Sequence, residues 1–127
     1  MKVRVLLIDD HEDARTTLAR RLGRDPRLEL LGTASELEEA ARILLHVRPD
    51  IVLLDIHRSD GRGMDACWAL RTVTDAPVVV FTSFLTAALW EAAREAGAAD
   101  YLLKHIDTDR LSQQIVRLAE RHGLVPG

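Results

Sequence analysis

The sequence predicts an α/β fold, a five-stranded parallel sheet with helices on both faces. Three observations carry this reading. Five short apolar runs alternate with five segments whose apolar residues recur at three- and four-residue intervals. The runs are bounded by Gly, Pro or Asp, as strands are. Two of them, VRVLLI and IVLL, end directly in aspartate, at Asp9 with Asp10 and at Asp55. Strict alternation of this kind joins parallel strands by right-handed crossovers.

Val3 to Ile8 is the first strand, and Leu18 and Leu22 mark a helix that Gly23 stops. Leu28 to Thr33 is the second strand. Ser35 followed by Glu38 forms a capping-box pattern that opens a helix striped by Leu37, Ala40, Ala41 and Leu44. Ile51 to Leu54 is the third strand, followed by a helix marked by Cys67 and Leu70. Val78 to Phe81 is the fourth, and the next stripe is Leu89, Ala92, Ala93 and Ala96, with Gly97 at the helix stop. Ala99 to Leu103 is the fifth strand, and Leu111, Ile115 and Leu118 stripe a last helix that Asp107 or Thr108 caps. Residues 1–121 form one domain, and the tail HGLVPG, residues 122–127, reads as frayed or as the start of a linker.

A chain of 127 residues with 47% hydrophobic content can bury a real core, which excludes simple disorder. The net charge of -3 leaves no electrostatic footprint for nucleic acid, so direct nucleic-acid binding by this segment is not expected. The lone Cys67 cannot form an internal disulfide, and its place in MDACWAL predicts a buried structural thiol, in keeping with a reducing cytoplasm. Trp68 in the same run is expected in the core. Trp90 adjoins a helical stripe and belongs either to the core or to a contact face. The first apolar run is too short for a signal peptide core and no run reaches transmembrane length, so a soluble, unexported, cytoplasmic protein without membrane contact is expected. His11, His46, His57, His105 and His122 are scattered without metal-ligand spacing, which predicts surface or loop roles and no zinc site.

Parallel strands that end in carboxylates gather them at one edge of the sheet, where ligand sites of open α/β sheets lie. Three clustered carboxylates repel one another unless a proton or metal intervenes, and oxygen-only ligation with room for waters suits Mg2+ better than zinc. Thr82 directly follows VVVF and Lys104 follows YLL, so a hydroxyl and an ammonium join the aspartates at the same edge. A carboxylate attacking a phosphoryl group needs its own charge and the developing equatorial charge offset, which a Mg2+ and a fixed Lys can do.

Together these five positions resemble the receiver domain of two-component response regulators, across essentially the whole chain. The likeness rests on the acidic pair after strand one, Asp55 after strand three, Thr82 after strand four, and Tyr101 three residues before Lys104 in GAADYLLK. It implies a doubly wound, flavodoxin-like sheet of strand order 2-1-3-4-5. It also implies that Asp55 accepts phosphate from a partner sensor histidine kinase or phosphotransfer protein. Asp10 would be a direct Mg2+ ligand, Asp9 a ligand through water, and the backbone carbonyl of His57 a further ligand. Thr82 would swing to the phosphoryl group and Tyr101 would move inward behind it, altering the face of helix four, strand five and helix five, with a homodimer among the possible outcomes. The chain would be a signalling phosphoacceptor with weak phosphotransfer and self-dephosphorylation rather than an enzyme. His57 and Phe84, two residues past Asp55 and Thr82, flank the path of a hydrolytic water. Phe84 can exclude that water, while His57 either orients it or shields the site.

Two positions depart from the common pattern of the family, which often has Pro where this chain has Ser59 and His105. A non-proline after the strand-five Lys points toward receivers that precede a helix-turn-helix output domain, so the chain is read either as a stand-alone receiver or as an N-terminal module. Rival readings are weaker. A haloacid-dehalogenase-like phosphatase wants a second acid two residues after its nucleophile, where His57 stands. The dinucleotide fingerprint Gly61-x-Gly63-x-x-Ala66 sits too close to Asp55 and Asp60, which would face a pyrophosphate with carboxylates. An interaction scaffold that no longer uses phosphate would not need all five positions.

Overall fold

The computed structural model describes residues 2–104 and 107–124. The element order is β1 (Val3–Ile8), α1 (Glu12–Gly23), β2 (Leu28–Ala34), α2 (Leu37–Leu44), β3 (Ile51–Leu54), α3 (Gly63–Leu70), β4 (Val78–Thr82), α4 (Ala87–Glu95), β5 (Asp100–Leu103) and α5 (Thr108–Arg121). All strand pairs are parallel, in the order β2-β1-β3-β4-β5. This is the expected doubly wound, flavodoxin-like architecture. His105 and residues 125–127 of the expected tail lie outside the described residues. Among the described residues no helix is long and apolar enough to cross a membrane.

The strands separate their side chains by alternation, since successive residues point to opposite faces. Val5, Leu7, Leu53, Val79 and Phe81 meet Leu18 and Leu22 of α1 and Leu111, Ile115 and Leu118 of α5 on one face. Leu6, Ile8, Val52, Leu54 and Val80 meet Ala40 of α2, Cys67 and Leu70 of α3 and Ala93 of α4 on the other. The central β3 is buried at all four positions. Each such aliphatic side chain contributes about 1.5–3 kcal/mol relative to exposure. Cys67 lies in this core as expected, and burial pushes its thiol up to about 11, so it stays protonated and unreactive at neutral pH.

Four local expectations need correction or refinement. Trp68 is 59% exposed rather than in the core. The face of α3 that meets the sheet is Gly63, Ala66, Cys67 and Leu70, and residue 68 lies off that stripe, where its ring takes the Arg71 guanidinium at 5.0 Å. The capping box is shifted: Glu36 is the N-cap of α2, and Glu39, not Glu38, accepts the Ser35 N–H at 2.7 Å. Between Asp107 and Thr108, Asp107 caps α5, accepting the Arg110 N–H at 3.0 Å. Residues 122–124 turn back on the helix. The Leu124 N–H reaches Ala119 O at 2.9 Å and Gly123, at φ +70°, reaches Glu120 O at 3.0 Å, closing α5 while Leu124 packs on the core.

Gly63 opens α3 directly behind the loop that follows β3. A Cβ there would meet Ile56 O at 2.0 Å, so the close approach of helix to strand end admits only glycine. Gly63→Ala is therefore expected to lower unfolding free energy by about 2–3 kcal/mol in denaturant titrations. Gly23→Ala, where nothing lies within 4 Å, is expected to be neutral or to stabilise α1 by up to about 1 kcal/mol. Equal effects at the two positions would contradict the packing described.

Candidate functional site

Register builds the site. Ile8 pairs with Leu54, so the residues that follow, Asp9 and Asp55, emerge side by side. The ladder continues one step past the strands: the Asp55 N–H donates to Ile8 O at 3.0 Å and the Asp9 N–H to Ala34 O at 2.9 Å. At the other side Thr82 pairs with Leu103, and the Lys104 N–H donates to Thr82 O at 2.9 Å. Four expected site residues thus stand on consecutive strand ends by backbone hydrogen bonding alone.

Asp9, Asp55 and Thr82 are buried. Buried carboxylates must be paired or ligate a metal. Lys104 Nζ meets this need, lying 2.5 Å from Asp9 Oδ2 and 2.6 Å from Asp55 Oδ2. The remaining oxygens are held locally, Asp9 Oδ1 by the His11 N–H at 2.9 Å and Asp55 Oδ1 by the His57 N–H at 2.9 Å. Each aspartate so forms the same turn with the N–H two residues on.

Asp10 reaches across to the β3–α3 loop, where its Oδ2 accepts the Ser59 N–H at 2.7 Å. Burial pushes its carboxyl pKa up, but the Ser59 hydrogen bonds and the nearby Arg58 and His11 outweigh this, and the net shift is downward. Asp10 is therefore ionised at neutral pH. Its Oδ1 is buried without a hydrogen-bond partner. His11 Nδ1 lies 3.3 Å from that oxygen but is closer to Asp9 Oδ1, at 3.0 Å. A buried carboxylate oxygen with no donor, beside two more carboxylates, fits a hard divalent cation.

Thr82 is not a helix cap, because Thr86 caps α4 by accepting the Leu89 N–H at 3.1 Å. The Thr82 hydroxyl instead makes a long bond of 3.4 Å to Phe84 O. His57 Nε2 lies 2.6 Å from the same carbonyl. Tyr101 stands outside the sheet edge, 44% exposed, its ring 5.1 Å from that of Trp90. Trp90 is partly buried against the core and also meets Tyr101, so it serves both faces between which the sequence left it open.

Two functional candidates escaped sequence reasoning. His11 was expected in a surface or loop role, yet its Nδ1 lies 3.0, 3.3 and 3.5 Å from oxygens of Asp9, Asp10 and Asp55. The available signal was its position directly after the acidic pair; a search for paired His ligands passes over it. Arg58 was not singled out either. Its side chain is 5% exposed, and its Nη2 donates to Ser35 O at 3.1 Å, tying the loop after β3 to the loop after β2.

Known proteins share this sequence pattern and fold. The family model described as "Response regulator receiver domain" matches residues 5–116. Transcriptional regulatory protein LiaR of Bacillus subtilis is 39% identical over 103 residues, which are 80% of this chain and 49% of that protein. DNA-binding transcriptional activator DevR/DosR of Mycobacterium tuberculosis is 34% identical over 114 residues, 89% of this chain and 52% of that protein. The chain spans about half the length of the curated relatives it matches. The solved signal receiver domain of the putative response regulator NarL from Mycobacterium tuberculosis superposes with a TM-score of 0.81 at 26% identity, covering 94% of this chain and 97% of that one. On sequence and strand order, this chain belongs to the response regulator receiver domains of two-component systems.

Proposed function

We propose that the chain is the phosphoacceptor of a two-component pathway, in which Asp55 takes a phosphoryl group from a phosphohistidine of a sensor kinase or phosphotransfer protein. The observation that carries this reading is Lys104 Nζ set between Asp9 and Asp55, at 2.5 and 2.6 Å. In the transfer a P–N bond breaks and a P–O bond forms, and the departing imidazole recovers its nitrogen lone pair. Asp55 is fixed for attack by the His57 N–H on one oxygen and Lys104 on the other. Lys104 is positioned to follow the charge as it moves to the transferred oxygens. Asp10 directly, Asp9 through water, Asp55 and the His57 backbone carbonyl would hold Mg2+. When bound there, the ion supplies positive charge to the phosphoryl oxygens.

The switch follows from how loosely Thr82 is held. A hydroxyl with one 3.4 Å bond can turn to a phosphoryl oxygen at small cost, leaving space behind it. Tyr101 would fill that space by moving inward, which separates it from Trp90 and remodels the edge formed by α4, β5 and α5. A partner or second copy would read that edge. LiaR and DevR/DosR are named as transcriptional regulators, so a DNA-binding output is the natural recipient of this signal; the segment itself, at net charge -3, would not touch nucleic acid. Such a pathway places the domain in the cytoplasm.

Incubation with acetyl phosphate and Mg2+ is expected to add one phosphoryl group at Asp55, seen by intact mass and peptide mapping. Asp55→Ala should abolish it and chelation should prevent it, while Asp10→Asn should weaken Mg2+ binding most. Full labelling of Asp55→Ala overturns the assignment.

In a Trp68→Phe variant, emission reports Trp90 alone, and beryllofluoride with Mg2+ is expected to shift it as Tyr101 departs. An unchanged spectrum at saturation would contradict the aromatic switch.

The acyl phosphate is expected to be long-lived. His57 Nε2 is engaged with Phe84 O and the apolar Phe84 ring offers no hydrogen bond, so neither orients a water. Phe84→Gln should hasten phosphate loss on the order of tenfold, followed by release of inorganic phosphate. An equal decay rate would show that Phe84 does not set the lifetime.

A further inference from the structure

We infer that His11 is a nitrogen ligand of the cation site, so that this receiver binds a borderline transition-metal ion such as Co2+ through Asp9, His11 and Asp55, beside an oxygen-only mode for Mg2+. The inference rests on the reading of the acidic edge as a divalent-cation site. It starts from the separations: His11 Nδ1 lies 3.0 Å from Asp9 Oδ1 and 3.5 Å from Asp55 Oδ2. With metal–ligand distances of about 2.1 Å, neighbouring ligands lie about 3.0 Å apart around an octahedral ion and about 3.4 Å around a tetrahedral one. Ligand atoms of the three residues all lie within 4.8 Å of one another, a group compact enough to close on one ion with small side-chain adjustments.

A second observation points to the same centre. Asp10 Oδ1, buried and without a hydrogen-bond partner, lies 3.3 Å from that nitrogen. Lys104 and backbone N–H groups hold the oxygens of Asp9 and Asp55, whereas Asp10 Oδ1 has no donor, and a cation beside the His11 nitrogen would supply its missing charge. The His11 side chain is half exposed, and its backbone N–H is anchored on Asp9 Oδ1 at 2.9 Å, so the ring sits at the mouth of the pocket with its base held in place. In the tautomer protonated at Nε2, the Nδ1 lone pair faces the carboxylates.

Ligand chemistry then sets the preference. Mg2+ gains little from an imidazole, while Co2+ and its neighbours in the series gain affinity from nitrogen. A plain hydrogen bond from Nδ1–H to Asp9 would give the same short distance but no such discrimination, and this difference is what an experiment can read.

Calorimetric titration of Co2+ and of Mg2+ into the parent protein and His11→Ala is the test, with pulsed electron paramagnetic resonance at low temperature on the Co2+-loaded forms. Loss of His11 is expected to weaken Co2+ by about tenfold or more while Mg2+ affinity stays unchanged. Mg2+ should displace Co2+ from the parent, and the parent's Co2+ signal should carry nitrogen modulation that His11→Ala lacks. Unchanged Co2+ affinity, equal weakening of both metals, or no nitrogen modulation in the parent overturns the inference while Mg2+ binding leaves the cation-site reading standing. A parent that binds neither ion overturns both.

Discussion

Two carboxylates on adjacent parallel strand ends are tolerable only because a cation stands between them. Unit charges 4 Å apart near a protein surface interact by about 4 kcal/mol, a large share of the stability of a domain this size. Lys104 Nζ converts that repulsion into two attractions, and it can do so because β5 delivers it from the sheet edge two strands away from Asp55. The rest of the site is arranged around this bridge. Asp10 turns outward to Ser59, His11 covers the opening, and Thr82 lies on the strand whose carbonyl holds the Lys104 backbone.

Most of the fold was legible because its strands are short apolar runs between glycines, prolines and aspartates, and β1 and β3 fall on the expected residues without adjustment. The acidic edge was legible for the same reason: parallel strands have one carboxyl end. What could not be read was anything decided by direction within a helix or by contact between loops. Trp68 differs from Cys67 by one residue and from the core by a third of a turn, so an apolar run alone does not say which of the two faces in. The shift from Glu38 to Glu39 depends on where the chain turns after β2, a choice made by tertiary packing. Leu124 looks like tail until the left-handed Gly123 is seen to bring it back onto the core. His11 was discounted because ligand spacing is a sequence idea, while the carboxylates it meets come from two different strands.

The loops around the site share acceptors rather than standing apart. Phe84 O is the partner of both the Thr82 hydroxyl and His57 Nε2, so one carbonyl after β4 joins the hydroxyl of the sheet edge to the loop after β3. Arg58 in that loop binds Ser35 O after β2. The loops after β2, β3 and β4 are therefore linked in series by hydrogen bonds across the carboxyl edge of the sheet.

The end of α4 is built differently from its beginning. Gly97, at φ +108°, closes the helix, and the stem of Arg71 packs so tightly on its backbone that an added Cβ would meet Arg71 Cδ at 2.2 Å. Arg71 also lies over the Trp68 ring, so the far end of α4 is bolted to α3 through a stacked cation. The near end hangs on the Thr86 cap and the loop that holds Phe84. The two ends of α4 are thus held by different means, a stacked cation over a glycine that admits no side chain at one end and a single hydroxyl cap at the other.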